Sequence, residues 1–172
     1  KIIPVELGDC GNMLICQKRS FLCAAKGVSI DIALQRKLGV GFFGGEGFIM
    51  QRLSGDGLVF VHAGGTVLTR DLAPGEMLRL DTGCLVALTG SVDYDVQMAS
   101  NVKSALFGGE GIFLATLKGP GRVWIQSLPF SRMANEIISA ARGNVGENKG
   151  VNNPVGEVTG GLGKAIGSMI KF

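Results

Sequence analysis

Apolar and polar residues alternate along two stretches of this chain that lie 64 positions apart. The apolar members are Val92, Tyr94, Val96 and Met98 in the later stretch, and Val28, Ile30, Ile32 and Leu34 in the earlier one. The residues between them are polar or small. A period of two places one face of a β-strand on a core and the other in water. The pattern therefore predicts two equivalent, half-buried strands.

The same offset relates most of the chain to itself. Residues 43–59 and 107–123 agree at nine of seventeen positions, and glycine accounts for five of the nine. Chance agreement would give about one or two. The match extends backwards without a gap through the alternating stretches. We interpret residues 1–66 and 67–130 as two β repeats that arose by internal duplication.

Glycine-rich turn signals divide each repeat into short strands. Two glycines flank one variable residue within 54–57 and again within 118–121. We expect a tight hairpin at each, and the Pro-Gly order of the second is typical of a type II turn. Short strands that recur with such signals predict an all-β fold, either a duplicated antiparallel β-sandwich or a double-stranded β-helix-like arrangement.

Two continuous apolar runs occupy equivalent places in the repeats, at 58–61 and 123–125. A run without alternation indicates a strand that is covered on both faces. Phe60 and Trp124 hold the same position within these runs. We therefore expect both aromatic side chains to anchor the core.

The pattern changes after Pro129, where residues 131–143 have helical spacing. One stripe carries Met133, Ile137, Ile138 and Ala141. Ser131 can serve as the N-cap and Gly143 as the stop. We expect a short amphipathic helix that packs across a sheet or against a neighbouring subunit.

Residues 144–172 are rich in glycine and asparagine and predict a flexible tail. The last stretch, 162–172, mixes Ile, Met and Phe with two lysines. It permits a frayed terminus or a weak helix at a membrane surface or a partner. The glycines favour the frayed terminus.

Charge and cysteine content exclude little. The 17 Lys and Arg and 14 Asp and Glu give a formal net charge of +3, which names no partner. The four cysteines form no C-x-x-C pair and predict small buried residues in a reducing compartment. No apolar run approaches the roughly 18 residues that span a bilayer. The chain starts at Lys1 rather than Met, so we expect it to be processed or clipped.

His62 is the one histidine of the chain, so this sequence cannot supply a metal centre of two or three histidines. The second repeat has Gln126 at the equivalent position. Exchange of His for Gln favours a structural, hydrogen-bonding role over proton transfer. We therefore predict no catalytic residue, no metal site and no cofactor.

The repeated carboxylates have structural interpretations as well. Glu46 and Glu110 each lie in a "GGEG" turn that lacks the Lys-Ser/Thr of a phosphate-binding P-loop. We expect them to hold that turn by accepting backbone N–H groups or by pairing with Arg52 or Arg122, and spacing does not decide which. Asp31 and Asp95 repeat on the polar sides of matching strands and are expected to face water.

Nucleic-acid binding is disfavoured by the same reasoning. The basic clusters at 17–19 and 35–37 are not repeated in the second unit. Stacking of bases also needs exposed aromatic side chains, and the chain has one Tyr and one Trp.

Residues 60–132 resemble a widespread family named after a yeast mitochondrial-biogenesis protein, altered inheritance of mitochondria number twenty-four. The signatures are "HAGGTV", "DTGCLVA", "SVDYD", "FGGEG" and "GPGRVWIQSLP". The resemblance spans roughly residues 3 to 140. It implies a fold like that of the trp RNA-binding attenuation protein, a homo-oligomer with a trimer favoured, and a related segment upstream that is missing here.

The resemblance implies no catalytic residues. It implies a cytoplasmic location for a bacterial member and a mitochondrial one for a eukaryotic member, with a role in inner-membrane organisation. We predict a non-enzymatic oligomeric scaffold or interaction protein. One role open to such a protein is the support of a membrane-associated complex. Membrane contact would come through the tail. The alternative is a small-ligand or RNA-binding module that uses the cleft between the repeats.

Overall fold

The computed structural model describes residues 1–36, 48–98 and 113–144. Within these ranges the backbone forms twelve strands, two short 3-10 turns and one helix. The strands are β1 Ile2–Glu6, β2 Met13–Gln17, β3 Phe21–Ala24, β4 Ser29–Arg36, β5 Phe48–Ser54, β6 Leu58–His62, β7 Val67–Leu72, β8 Met77–Asp81, β9 Leu85–Thr89, β10 Asp93–Met98, β11 Phe113–Lys118 and β12 Gly121–Gln126. The 3-10 turns are Leu7–Cys10 and Thr82–Cys84, and α1 is Phe130–Asn144. The predicted all-β class with one C-terminal helix is confirmed.

The strands of the two repeats pair in the same pattern. In the first repeat β6 pairs with β1 and β3, and β5 pairs with β2 and β4. In the second, β12 pairs with β7 and β9, and β11 pairs with β8 and β10. All eight pairings are antiparallel. Each repeat therefore contributes two three-stranded groups with the same connectivity.

One further pairing joins the repeats. β2 of the first repeat lies antiparallel to β9 of the second, which gives a central six-stranded sheet of order β4-β5-β2-β9-β12-β7. The remaining groups are three-stranded sheets of order β1-β6-β3 and β10-β11-β8. Half of the central sheet thus comes from each repeat.

The two three-stranded sheets build two cores on the central sheet. The first core contains Ile15, Phe48, Met50, Leu72, Leu85, Leu88, Val92, Val96, Phe113, Ala115, Leu117 and Val123. The second contains Val5, Leu7, Leu14, Cys16, Leu53, Val59, Val61, Ala63, Val86, Ala87 and Trp124. Neighbouring residues of β2 and β9 enter opposite cores, as expected for strands with both faces buried.

The predicted hairpins at 54–57 and 118–121 are wrong. β5 belongs to the central sheet and β6 to a three-stranded sheet, so the chain passes between sheets at 54–57. β11 and β12 are separated in the same way. Gly121 has a φ of 145°, far from the roughly 80° of a type II turn. Glycine serves a corner here because a change of sheet needs unusual backbone angles as much as a hairpin does.

The expected covering of both faces holds better in β12 than in β6. Trp124 is buried, whereas Phe60 is half-buried and Leu58 is exposed. The difference follows from the sheets, because β12 lies in the central sheet, which has a core on each face, whereas the core residues of β6 all belong to one core. Equivalent apolar runs are therefore buried to different extents in the two repeats.

α1 begins one residue earlier than predicted. It starts at Phe130, directly after Pro129, so Ser131 lies within the first turn and is not the N-cap. The helix extends to Asn144, one residue beyond the expected stop at Gly143. Residues 145–172, which hold the predicted tail, lie outside the described residues, as do Glu46 and Glu110.

Candidate functional site: clefts at the repeat boundary

A cleft of about 490 Å³ opens between the repeats. Its walls come from Asp9, Cys10, Gly11 and Met13 of the first repeat and from Asp71, Leu72, Thr89, Gly90, Ser91, Gly121 and Arg122 of the second. Charged, hydroxyl and apolar groups all line it, as in sites that hold small polar molecules.

The first wall depends on the 3-10 turn Leu7–Cys10. Leu7 is fully buried in the second core and fixes the start of the turn. The turn ends at Gly11, which has a φ of 68°, and at Asn12, which has a φ of 59° and donates its N–H to the Leu7 carbonyl at 2.8 Å. Left-handed angles at two successive residues reverse the chain sharply. Asp9 and Cys10 are thereby presented to the cleft.

The second wall is a hydroxyl pair beside a glycine. The Arg122 N–H donates to the Thr89 Oγ1 at 3.0 Å, and that oxygen lies 3.1 Å from the Ser91 Oγ. A Cβ on Gly121 would stand 2.5 Å from both hydroxyl oxygens. The close approach of backbone to hydroxyls therefore requires glycine at this position.

An ion pair lies at the rim of the cleft. Arg122 and Asp71 face each other across the β12–β7 ladder, and the guanidinium donates to the carboxylate at 2.7 Å and 3.2 Å. The hydrogen bond to Arg122 lowers the pKa of the Asp71 carboxyl. Its stabilising effect is present above the ordinary carboxyl pKa and disappears as the pH falls through the lowered value. Because both groups are exposed, salt screens the pair.

The thiol of Cys10 is a poor nucleophile in this setting. Desolvation raises its pKa, so the thiol stays protonated at neutral pH. Arg122 already has a carboxylate partner. The cleft is therefore equipped for hydrogen bonding and charge recognition more than for covalent chemistry.

A smaller cleft of about 220 Å³ lies beside the "HAGG" motif. Gln126, which is buried, organises it: the Nε2 group donates to the Gly83 carbonyl at 2.8 Å, and the Oε1 atom accepts the Gly64 N–H at 2.8 Å. Gly65 has a φ of 69°, and an added Cβ there would stand 2.9 Å from the Leu128 Cβ. Gln126 therefore connects the loop of Gly64 to the turn of Gly83, and Gly65 lets the first of these loops approach Leu128.

The structure gives His62 and Gln126 different surroundings despite their equivalent positions. The His62 side chain is exposed, and among the described residues it makes no side-chain hydrogen bond or ion pair. Its backbone N–H donates to the Ser20 carbonyl at 2.8 Å. The hydrogen-bonding role expected of both residues belongs to Gln126. The 64-residue offset between the two is the sequence signal that pointed to Gln126, and the predicted hydrogen-bonding role is confirmed there.

We expect Gln126→Ala to lower the free energy of unfolding by about 1–3 kcal/mol, because the Gly64 N–H and the Gly83 carbonyl would lose their partner in a partly buried place. His62→Ala, at the same position of the other repeat, is the matched control and should change it by less than about 0.5 kcal/mol. Urea denaturation of both variants measures this. Equal losses in the two variants would contradict this prediction, because they would show that the local contacts of Gln126 do not determine its contribution to stability.

The other residues singled out in the sequence do not converge. Asp31 and Asp95 are exposed and lie on β4 and β10, which belong to different sheets. Arg122 pairs with Asp71 and not with a described glutamate. Arg52 lies opposite Asp31 in the β4–β5 ladder. Asp31 and Asp95 therefore do not form the paired-acid arrangement that acid–base catalysis requires.

The cysteines occupy unlike environments. Cys16 is buried, and desolvation raises its pKa to about 12. Cys10 and Cys84 are half-buried. Cys23 is exposed on β3, which contradicts the expectation of four buried cysteines. The difference arises because β3 is an edge strand, whereas β2 is paired on both sides.

In residues 1–36, 48–98 and 113–144, no three His, Cys, Asp or Glu side chains are grouped so that they could hold a metal ion. In the same ranges no helix has both the length and the hydrophobicity to cross a bilayer.

Comparison with known proteins adds a family and a fold. The family model described as mitochondrial biogenesis AIM24 matches residues 1–128. An uncharacterized protein of Streptococcus pyogenes serotype M6 is 29% identical over 144 residues, which cover 80% of this chain and 54% of that protein. This chain thus spans about half the length of its curated relative. The crystal structure of a Streptococcus pyogenes protein matches with a TM-score of 0.67 and 23% identity, over 81% of this chain and 60% of the other, and shows likeness of fold alone.

Proposed function

The chain belongs to the mitochondrial biogenesis AIM24 family, and from that premise we propose that it is a non-enzymatic scaffold that assembles with copies of itself. The resemblance favours a trimer. Symmetric assembly also covers strand edges that would be open to unwanted pairing in a monomer.

The uncovered face of β4 carries this proposal. Ile30 and Ile32 are 46% and 63% exposed, whereas Tyr94, the β10 counterpart of Ile30, is half-buried and Val96, the counterpart of Ile32, is 5% exposed. Ile30 lies opposite Leu53, which is buried in the second core. The apolar face of β4 therefore continues out of the core and into solvent.

The second repeat indicates what covers such a face. Val96 of β10 and Val92, which directly precedes that strand, pack in one core with residues of the first repeat, namely Ile15, Phe48 and Met50. One repeat thus covers the β10 face of the other. A further repeat, supplied by a second copy of the chain, would cover β4 in the same way. Full burial of one isoleucine side chain contributes about 1.5–3 kcal/mol.

We expect the protein to sediment as a discrete oligomer at micromolar concentration, and Ile32→Ser to shift that distribution towards monomer. Leu68→Ser is the matched control, because Leu68 is also exposed but lies on β7, at the opposite end of the central sheet. Analytical ultracentrifugation measures both. A stable monomer of the unaltered chain would remove the scaffold proposal. An oligomer that Ile32→Ser leaves intact would show that β4 does not take part.

The same family description suggests what the assembly serves. Its wording ties the family to mitochondrial biogenesis. On that likeness, the oligomer would present repeated surfaces to a membrane-associated protein complex. This part of the proposal depends on the family alone, while self-association depends on β4.

A small-ligand or RNA-binding module is the second candidate, and the cleft between the repeats favours it. Thr89, Ser91, Asp71 and Arg122 of the second repeat offer donors and acceptors on one wall, and Asp9 of the first repeat offers a carboxylate on the other. A ligand that binds only the folded protein must raise its thermal midpoint. A thermal-shift panel of metabolites and short RNAs tests this, with Ser91→Ala as the variant that should reduce any shift. No shift across the panel would leave the scaffold standing alone.

A further inference from the structure

Of the six edge strands in the described part of the chain, β3 and β8 have repeat counterparts that are paired with each other. β3 ends the sheet β1-β6-β3, and β8 ends the sheet β10-β11-β8. The counterpart of β3 is β9 and that of β8 is β2, each 64 residues away. β2 and β9 form the antiparallel joint at the centre of the six-stranded sheet. The chain therefore contains one paired joint, β2 with β9, and an unpaired counterpart of each of its strands, β8 and β3.

We propose that β8 of one copy pairs antiparallel with β3 of the next, in the register of the β2–β9 joint. This inference rests on the proposed self-association and specifies its interface. The joint places Leu14 opposite Thr89, Ile15 opposite Leu88 and Cys16 opposite Ala87. Applying the 64-residue offset places Leu78 opposite Ala25, Arg79 opposite Ala24 and Leu80 opposite Cys23 of the neighbouring copy.

The shape of β3 matches that of β9 in detail. β9 pairs with β12 through a bulge in which Val86 is the extra residue between Leu85 and Ala87. β3 pairs with β6 through the same bulge, in which Leu22 is the extra residue. A bulge bends a strand and increases its local twist. The open edge of β3 therefore presents the same irregular backbone that β2 accepts in the paired joint.

Equivalent residues of β3 and β9 differ in burial, as do equivalent residues of β4 and β10. Val86 is 0% exposed and lies in the second core, whereas Leu22 is 48% exposed. β3 also lacks charged residues and proline, the usual protection of an edge strand against pairing. An unprotected apolar edge is what an intended strand-pairing surface requires.

One arrangement accounts for both open edges and the uncovered face. In the chain, the β2–β9 joint places residues of β2 and β5, such as Ile15 and Met50, in one core with Tyr94 and Val96 of β10. The same relation between copies places β8 and β11, including Leu114 at the position of Met50, against Ile30 and Ile32 of the next copy. Such a contact is head-to-tail, and it closes into a ring when its rotation permits.

Disulfide formation tests the register directly. Directly opposed residues of an antiparallel pair have Cα atoms about 4.5–5.5 Å apart, which suits a disulfide. With Cys10 and Cys84 replaced by serine, Leu80→Cys should oxidise with Cys23 of the next copy and give dimers and longer ladders on a non-reducing gel. Leu78→Cys is the matched control, because it lies on the same face but opposite Ala25. We expect it to give about tenfold less cross-linked product.

The outcomes separate this inference from the broader proposal. A ladder that depends on Cys23 and Leu80→Cys supports the pairing. An oligomer by ultracentrifugation without that ladder overturns the β3–β8 contact and leaves the scaffold. A monomer overturns both. Should Leu80→Cys fail to fold by circular dichroism, the double variant Ala24→Cys and Arg79→Cys tests the adjacent opposed pair, and absence of its cross-link counts equally against the register.

Discussion

Trp124→Ala is expected to lower the free energy of unfolding by about 3–5 kcal/mol. The indole is 6% exposed and lies in the second core with Leu14, Leu53 and Val86. Its strand β12 is paired on both sides, with β9 and with β7. The neighbouring strands therefore cannot collapse freely into the cavity that alanine would leave, and the full cost of the cavity should appear.

Phe60→Ala is the matched control for that prediction. Phe60 holds the same position in the first repeat but is half-buried, so we expect a loss of about 1–2 kcal/mol. Guanidinium denaturation at one fixed protein concentration measures both variants, since assembly makes stability depend on concentration. Equal losses would contradict the unequal burial of β6 and β12.

Gly121→Ala should be the second most damaging single change, with an expected loss of about 2–4 kcal/mol. Two effects add. The φ of 145° is one that residues with a Cβ rarely adopt, and the new Cβ would collide with the hydroxyls of Thr89 and Ser91. Those hydroxyls line the cleft between the repeats, so the change should also deform that wall.

Gly75→Ala separates the two effects. Gly75 has a φ of 78°, but nothing lies within 4 Å of the place where its Cβ would stand. It should therefore show the backbone cost alone, about 1 kcal/mol. Thermal and chemical denaturation of the two variants give the comparison. If both lose the same amount, the approach of Gly121 to the hydroxyls contributes nothing to stability.

The all-β class could be predicted from the sequence because glycine-rich turn signals and alternation are local. The alternation at 92–98 predicts the burial of Val92 and Val96 correctly. The same pattern at 28–34 predicts burial of Ile30 and Ile32, which are exposed. Alternation states which face is apolar, but it does not state whether anything covers that face within the same chain.

The corners at 54–57 and 118–121 show a second limit. Tight hairpins and passages between sheets use the same small residues, since both need backbone angles that favour glycine. Which strands pair afterwards depends on contacts between distant residues. The candidate site was hidden for the same reason: Asp71 and Arg122 are 51 residues apart, and no local motif connects them.

The central sheet has a consequence for how this chain folds. β2 and β9 complete one sheet from two halves, so neither half of the gene product carries a finished hydrophobic layer of its own. Cutting the backbone near residue 66 should yield fragments that stay largely unstructured when separate and regain order when mixed. Cooperativity would then be a property of the duplicated pair, and the ancestral single module could have been stable only as an assembly of several chains.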